Sequence, residues 1–155
     1  MGIVESTYAE LKQQELKNNP YSCLHMADID INPHQVEAFT FALSSLELGG
    51  AILADEVGLG KTIEAGLVIK YLLCSGKNKI LLIMPSNLRK QWQVELEEKF
   101  DIDSLIVDSS NWEDYLEEVK SKQAVIIVSY HFASKRKAEF GKIAWDFCVF
   151  DEAHR

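Results

Sequence analysis

The chain of 155 residues is poor in cysteine, in positive charge and in long apolar runs. Its three cysteines, Cys23, Cys74 and Cys148, form no Cys-x-x-Cys pair. This pattern argues against a disulfide framework and a cysteine metal site, and it predicts buried free thiols in a reducing cytosol. No apolar run approaches the length of a membrane span, and no basic-then-apolar leader opens the chain. We therefore expect a cytoplasmic protein without membrane contact.

The shortage of positive charge limits how the chain could bind nucleic acid. The formal net charge is -8 and the sequence pI is near 5.0. Affinity for nucleic acid rests on neutralisation of phosphates by Lys and Arg, so this balance gives no overall attraction to a polyanion. Any such binding must be local or shared with parts outside this chain. The length and the hydrophobic content of 47% agree with a single globular domain that buries its own core.

Apolar runs alternate with helix-compatible stretches along most of the chain, and this alternation predicts an α/β fold. Residues 1–31 are expected to be a helical lead-in, and residues 32–155 the α/β domain. Buried parallel strands are predicted at Ala51–Ala54, Ile80–Met84, Leu105–Val107, Ala124–Ser129 and Phe147–Asp151. Helices are predicted from Pro33, with Asn32 as N-cap, to Gly49-Gly50, and at Thr62–Cys74, Ser86–Phe100, Trp112–Lys120 and Phe132–Phe140. Such an order gives a parallel sheet with helices on both faces, and ligands bind at the carboxyl ends of its strands.

A glycine-containing segment after the first predicted strand is suited to binding a phosphate chain. Gly58 and Gly60 let backbone N–H groups turn inward, and a helix starting at Lys61 directs its positive end to the same place. Lys61 would meet the terminal phosphates, and the Thr62 hydroxyl suits Mg²⁺. A glycine-rich turn between a strand and a helix, without function, is the alternative reading. The predicted ATP-binding residues of the segment are Asp55, Glu56, Val57, Gly58, Leu59, Gly60, Lys61 and Thr62.

The segment Asp151-Glu152-Ala153-His154 follows the last predicted strand and carries the complementary chemistry. Asp151 is a hard oxygen donor that would hold the Mg²⁺ through its water shell. Glu152 is then left to orient or deprotonate the attacking water. With Lys61, these two carboxylates are the predicted catalytic residues of an ATP-hydrolysing site, and His154 is a weaker candidate for the base.

These motifs together resemble those of Swi/Snf-type ATPases of helicase superfamily two. The segment Asp-Glu-x-Gly-x-Gly-Lys-Thr, followed by Ile63-Glu64-Ala65-Gly66, is similar to the family's Walker A loop. The Asp-Glu-Ala-His segment is similar to its acidic box. Pro33-His34-Gln35 resembles the corresponding segment of RapA-type bacterial ATPases, which bind RNA polymerase. The resemblance implies the first RecA-like lobe of an ATP-dependent translocase on duplex DNA, cut after the acidic box, with ATP and Mg²⁺ as cofactors. A second RecA-like lobe and a protein partner such as RNA polymerase would lie outside this chain.

The resemblance also implies roles for residues around the ends of the strands. Gln35 would present its amide, which both donates and accepts, to the adenine edge. Pro85, Ser86 and Arg89 lie where the family contacts a nucleic-acid backbone, and Ser86 is predicted to be the N-cap of the following helix. Trp92 is expected to be a core residue. The further candidates for nucleic-acid contact are Ser129, Tyr130, Lys135, Arg136 and Lys137.

Two alternatives remain open. A strand-separating helicase or a restriction-type translocase shares the loop and the acidic box, but Asp55, Glu64-Ala65-Gly66 and Trp92 favour the Swi/Snf side. A non-catalytic adaptor could keep a nucleotide-binding fold for protein contact. It would have no physical reason to keep Lys61, Thr62, Asp151 and Glu152 together.

Overall fold

The computed structural model describes residues 19–20, 22, 31–53, 60–121 and 124–153. Most of the predicted lead-in, the loop residues 54–59 and the closing His154 and Arg155 lie outside the described residues. The chain divides into two compact units, Met1–Gly76 and Lys77–Arg155. The domain boundary expected between residues 31 and 32 stays a prediction.

The first unit contains two helices, α1 (Pro33–Leu46) and α2 (Lys61–Cys74). Proline occupies the first position of α1, where its fixed φ suits a helix and its missing N–H is not needed. Asn32 is the N-cap as predicted, and the chain leaves the helix through Gly49 (φ 105°) and Gly50 (φ 143°). The rings of Phe39 and Tyr71 meet edge to face with centroids 6.0 Å apart, so α1 and α2 pack on each other.

The strand predicted at Ala51–Ala54 is not found where the structure describes it. Residues 51–53 have no regular structure, and Ile52 is 86% exposed. A strand needs a neighbouring strand to accept and donate its main-chain hydrogen bonds. None pairs with residues 51–53 among the described ranges, and an apolar sequence alone cannot supply that partner.

The second unit contains a four-stranded sheet formed by β1 (Lys79–Met84), β2 (Leu105–Ile106), β3 (Ala124–Ser129) and β4 (Phe147–Phe150). All three strand pairings are parallel, and the strand order is β2-β3-β1-β4. The predicted α/β class with a parallel sheet is therefore confirmed. β1 and β3 are almost completely buried, because each is paired on both sides and covered on its faces.

Helices cover the two faces of this sheet: α3 (Arg89–Phe100), α4 (Trp112–Ser121), α5 (Tyr130–Lys135) and α6 (Lys137–Phe140). Alternate strand residues such as Leu81 and Ile126 share one core cluster with Trp112, Phe132 and Phe140 from α4 to α6. The buried side chains of α3 are absent from that cluster, although α3 contacts β2 and β3. Since successive strand side chains point to opposite faces, α3 lies on the other face of the sheet.

Four details of the sequence-based description are wrong. α3 begins at Arg89 and not at Ser86. The stretch Phe132–Phe140 is two helices separated at Arg136, whose φ of -107° and ψ of 21° are not helical. β2 is only half-buried, and β4 alternates between half-buried and exposed residues, because within the described ranges β4 has a paired neighbour on one side only. The two cysteines in the described ranges are not buried either, since Cys74 is half-buried and Cys148 on β4 is exposed, while Cys23 lies outside those ranges.

No helix in the described part of the chain is long and apolar enough to cross a membrane. The same residues contain no group of three or more His, Cys, Asp or Glu side chains arranged to hold a metal ion.

Candidate nucleotide site

In the first unit, the described part of the predicted phosphate-binding segment is the start of α2. Gly60 is the N-cap residue in a left-handed conformation (φ 91°, ψ 35°), and Lys61 and Thr62 occupy the first turn, half-buried. The carbonyl of Gly60 accepts the N–H of Ile63 at 2.8 Å, so the helix is formed from its first residue. The N-terminus of a helix carries the positive end of its dipole and directs N–H groups outward, which favours an anion. The predicted contacts from Asp55, Glu56, Val57, Gly58 and Leu59 lie outside the described residues.

Gln35 lies against this helix start, but its amide is partly used by the protein. The side chain is 3% exposed, and its Oε1 accepts the backbone N–H of Asn32 at 3.0 Å, capping α1. Because Oε1 must accept this bond, Nε2 is the amide atom on the other side. A Cβ built on Gly60 would lie 3.0 Å from Nε2, so the Gln35 amide and Gly60 are immediate neighbours.

Glu64, one turn into α2, has a completely buried side chain (0% exposed). A carboxylate in the first turn of a helix interacts favourably with the helix dipole, which helps to offset the cost of burying its charge. The sequence motif indicated this residue only as a family marker, and its burial was not predicted.

In the second unit, the predicted site residue Asp151 lies where the chain leaves β4. Its main-chain N–H donates to the carbonyl of Ile83 on β1 at 3.0 Å. Its main-chain carbonyl accepts the hydroxyl of Tyr130 at 2.9 Å. Its carboxylate oxygen Oδ2 accepts the indole N–H of Trp92 at 2.8 Å. Asp151 is thus held by three hydrogen bonds from three different elements, at the carboxyl end of the sheet where parallel sheets bind ligands.

Glu152 follows with an unusual backbone. Its φ of 54° lies in the left-handed region, which non-glycine residues occupy rarely and which clusters at functional sites. The neighbouring Tyr130 hydroxyl has a pKa raised by burial and by the charges of Asp151 and Glu152. The phenol therefore keeps its proton at neutral pH and remains the donor to Asp151.

The turn after β1 differs from its prediction. Ser86 is exposed and is not an N-cap, because residues 86–88 first form a turn in which the N–H of Leu88 donates to the Pro85 carbonyl at 3.0 Å. The helix amides that could bind an anion therefore follow Leu88. Arg89 is engaged within the protein: its Nε donates to the Ser86 carbonyl at 3.3 Å, and its Nη1 lies 3.7 Å from Asp108 Oδ2.

The end of β3 carries the remaining candidates. Ser129 is buried, and its hydroxyl accepts the N–H of Phe132, so Ser129 is the N-cap of α5. The guanidinium of Arg136 lies 2.9 Å from Glu139 and 3.6 Å from Glu113. Lys135 and Lys137 are exposed. Of this basic cluster, the two lysines offer the accessible positive charge.

Sequence reasoning found Asp151 and Trp92 separately, and the structure brings them into contact. Trp92 is a core residue as predicted, 4% exposed, but its bond to Asp151 was missed. The two residues are 59 positions apart. Only the expectation that α3 packs on the sheet could have suggested that they meet.

Comparison with known proteins decides the family. The model of the SNF2-related domain matches residues 34–155. The chain belongs to the SNF2-related domain family. This membership confirms the predicted resemblance to Swi/Snf-type ATPases, and with it the RecA-like class of the parallel sheet.

Relatives of this SNF2-related chain include bacterial proteins named RNA polymerase-associated protein RapA. The one from Yersinia enterocolitica is 34% identical over 92% of this chain, and the one from Yersinia pestis is 32% identical over the same share. The chain spans only 15% of the length of either relative. The Sulfolobus solfataricus SWI2/SNF2 ATPase core, solved in complex with dsDNA, has the same fold with a TM-score of 0.69 and 24% identity. That match covers 82% of this chain and 27% of the archaeal one.

Proposed function

We propose that this chain is the ATP-binding part of an ATP-dependent translocase that hydrolyses ATP to move along duplex DNA and to remodel protein bound there. The observation that carries the proposal is the position of Asp151, fixed at the carboxyl end of β4 in a chain of the SNF2-related family. ATP hydrolysis gives a chemical role both to this carboxylate and to the helix start at Lys61 and Thr62. A RapA-like association with RNA polymerase is the corresponding proposal for a protein partner.

Each residue of the proposed site has a separate task. The first-turn amides of α2 and the Lys61 ammonium would bind the phosphates, and Gln35 would meet the adenine. Glu152, whose backbone conformation is left-handed, would orient the attacking water and take its proton.

The donor set suits ATP with Mg²⁺. Thr62 and Asp151 are hard oxygen donors, and one carboxylate oxygen of Asp151 is held by Trp92 while Oδ1 takes no part in that bond. When bound, Mg²⁺ would neutralise the charge that develops on the transferred phosphoryl group. Asp151 would hold the ion's water shell, and Lys61 would bind the terminal phosphate.

The DNA contacts are proposed for the same end of the sheet. Lys135 and Lys137 supply exposed positive charge after β3, and the turn Pro85–Ser86 supplies backbone groups after β1. We expect Arg89, Arg136, Ser129 and Tyr130 to support this surface from within, because each is bonded to other parts of the protein. Contacts of this kind read the phosphate backbone and carry no base specificity.

The decisive measurement is the ATPase rate of a longer version of the protein that includes a second RecA-like lobe, with duplex DNA, single-stranded DNA or RNA added. We expect duplex DNA to stimulate the rate, and Glu152→Gln to abolish the stimulated rate while ATP binding persists. A preference for single strands would instead favour a strand-separating helicase. ATP binding without any hydrolysis would favour the adaptor.

Residues 1–155 alone are expected to bind ATP weakly and to hydrolyse it barely. In related phosphoryl-transfer systems an arginine finger contributes about 10³–10⁵ in rate, and we expect the second lobe to supply it. Rapid turnover by residues 1–155 alone would contradict this expectation.

A further inference from the structure

We infer that Trp92 and Tyr130 are positioning residues that hold Asp151 in the orientation in which it can serve the bound metal. The function of that orientation rests on the proposed ATP hydrolysis, whereas the two hydrogen bonds do not. Neither residue was predicted to have this role: Trp92 was expected to be core, and Tyr130 to contact nucleic acid.

The need for such residues follows from where Asp151 lies. It comes directly after β4, whose exposed Phe150 (58%) shows how little packing surrounds the end of this strand. A carboxylate there would rotate about its two side-chain torsions, and its main chain would be anchored only through the bond to Ile83 on β1. Tyr130 adds an anchor at the Asp151 carbonyl, and Trp92 adds one at the carboxylate itself.

Trp92 is well suited to this task because its own position is fixed. The side chain is 4% exposed and belongs to the face of α3 that packs on the sheet, together with Leu96 and Phe100. An indole N–H can only donate, so it binds the carboxylate and offers nothing that would compete with a ligand. The bond of 2.8 Å to Oδ2 has the length of a charge-assisted hydrogen bond, and it leaves Oδ1 to face other partners.

The first test is the affinity of residues 1–155 for ATP, with Mg²⁺ and with the metal removed by chelation, measured by titration calorimetry. Trp92→Phe keeps most of the ring and loses the N–H. Loss of a group that orients a metal ligand typically costs about 10–100-fold in affinity, so we expect a weakening of that size for ATP with Mg²⁺. Affinity for metal-free ATP should not change, which separates a positioning role from general damage to the site. Equal affinities of Trp92→Phe and the unsubstituted chain for ATP with Mg²⁺ would overturn the inference.

A matched control exists in the same unit. Trp145 also donates its indole N–H, to the carbonyl of Phe140 at 3.0 Å. Trp145→Phe therefore makes the same chemical change away from Asp151 and should leave both affinities unchanged. If Trp92→Phe fails to fold, Tyr130→Phe carries the test, with Tyr115→Phe on α4 as its control and with the same metal-dependent weakening expected.

A second measurement does not depend on ATP. The three tryptophans give three indole N–H signals in a ¹H–¹⁵N spectrum, and the Trp92 signal is the one missing from Trp92→Phe. Asp151→Asn removes the charge opposite this N–H, so the Trp92 signal should shift while those of Trp112 and Trp145 stay in place. A Trp92 signal that does not shift in Asp151→Asn would overturn the inference, whether or not the chain binds ATP. If the signal shifts but the unsubstituted chain binds no ATP, the hydrogen bond stands and the proposed function fails.

Discussion

At the scale of single residues, several hydrogen-bonding side chains near the candidate site are buried and form hydrogen bonds within the protein. Gln35 caps α1 and touches Gly60, Ser129 caps α5, and Trp92 holds Asp151. A motif gives the type of residue that a ligand requires, and on that basis Lys61 and Asp151 are predicted to be site residues. It does not give the bonds between distant positions that fix those residues in place.

Gly60→Ala tests the close approach between the loop and Gln35. The backbone of Gly60 is left-handed, which costs a residue with a Cβ about 1–2 kcal/mol, and the new Cβ would lie 3.0 Å from Gln35 Nε2. We expect a lower free energy of unfolding in urea. Gly49→Ala is the control, because it has a similar φ of 105° and nothing within 4 Å of its Cβ. Equal losses for the two variants would show that the contact with Gln35 has no energetic effect.

At the scale of elements, the carboxylate of Asp146 links the starts of the neighbouring strands β1 and β4. Asp146 precedes β4, and its Oδ2 accepts the N–H groups of Asn78 and Lys79 at 2.8 and 3.0 Å, where β1 begins. Its own N–H donates to the Lys79 carbonyl at 2.8 Å. The two backbone hydrogen bonds, with a smaller effect of the Lys77 charge, hold the pKa of Asp146 below its usual value of 3.8.

This carboxylate should make stability depend on pH in a defined direction. Because its pKa is lower in the folded protein, its contribution is present above the unfolded pKa of 3.8 and is lost as the pH falls through the folded value. We expect Asp146→Asn to lower the free energy of unfolding in urea at pH 7, and the difference from the unsubstituted chain to shrink below about pH 4. Asp103→Asn, at an exposed position between α3 and β2, is the control for removing one surface carboxylate. A difference for Asp146→Asn that stays constant to pH 3 would contradict the assignment.

The break between α5 and α6 predicts different roles for neighbouring basic residues. Lys135→Ala or Lys137→Ala, made in the longer protein with a second lobe, should weaken binding to duplex DNA. Each substitution should also reduce the slope of log affinity against log salt concentration by about one unit. Arg136→Ala should mainly lower stability, because its guanidinium is engaged with Glu113 and Glu139. The measurement is the affinity of each variant for duplex DNA across a range of salt concentrations. If only Arg136→Ala reduced the slope of log affinity against log salt, Arg136 and not the lysines would be the DNA contact.

At the scale of the whole molecule, sequence periodicity predicted the sheet of the second unit because β1 and β3 are buried on both faces and read as unbroken apolar runs. Sequence periodicity failed where neighbouring strands decide whether a segment forms a strand and how deeply that strand is buried. The apolar run at residues 51–53 has no strand partner in the described ranges, and β4 is half exposed although its sequence resembles that of a buried strand.

Lys61→Ala tests whether the chain binds ATP, and the measurement is the thermal stability of the chain with and without ATP. ATP with Mg²⁺ at about 100 times its dissociation constant should stabilise the unsubstituted chain by about 2.7 kcal/mol, or about 5–10 °C in midpoint. Without the Lys61 ammonium this shift should disappear. Lys142→Ala, an exposed lysine in the second unit, should keep it. A full shift in Lys61→Ala would contradict the proposed phosphate contact.

The tryptophans that line the sheet also determine what fluorescence can report. All three, Trp92, Trp112 and Trp145, lie in the second unit, and residues 1–76 contain none. Tryptophan emission, excited selectively over tyrosine, therefore follows residues 77–155 alone in an unfolding experiment, whereas circular dichroism also records α1 and α2. Superimposable curves from the two signals would mean that both units unfold in one cooperative step, and separated curves would assign a stability to each.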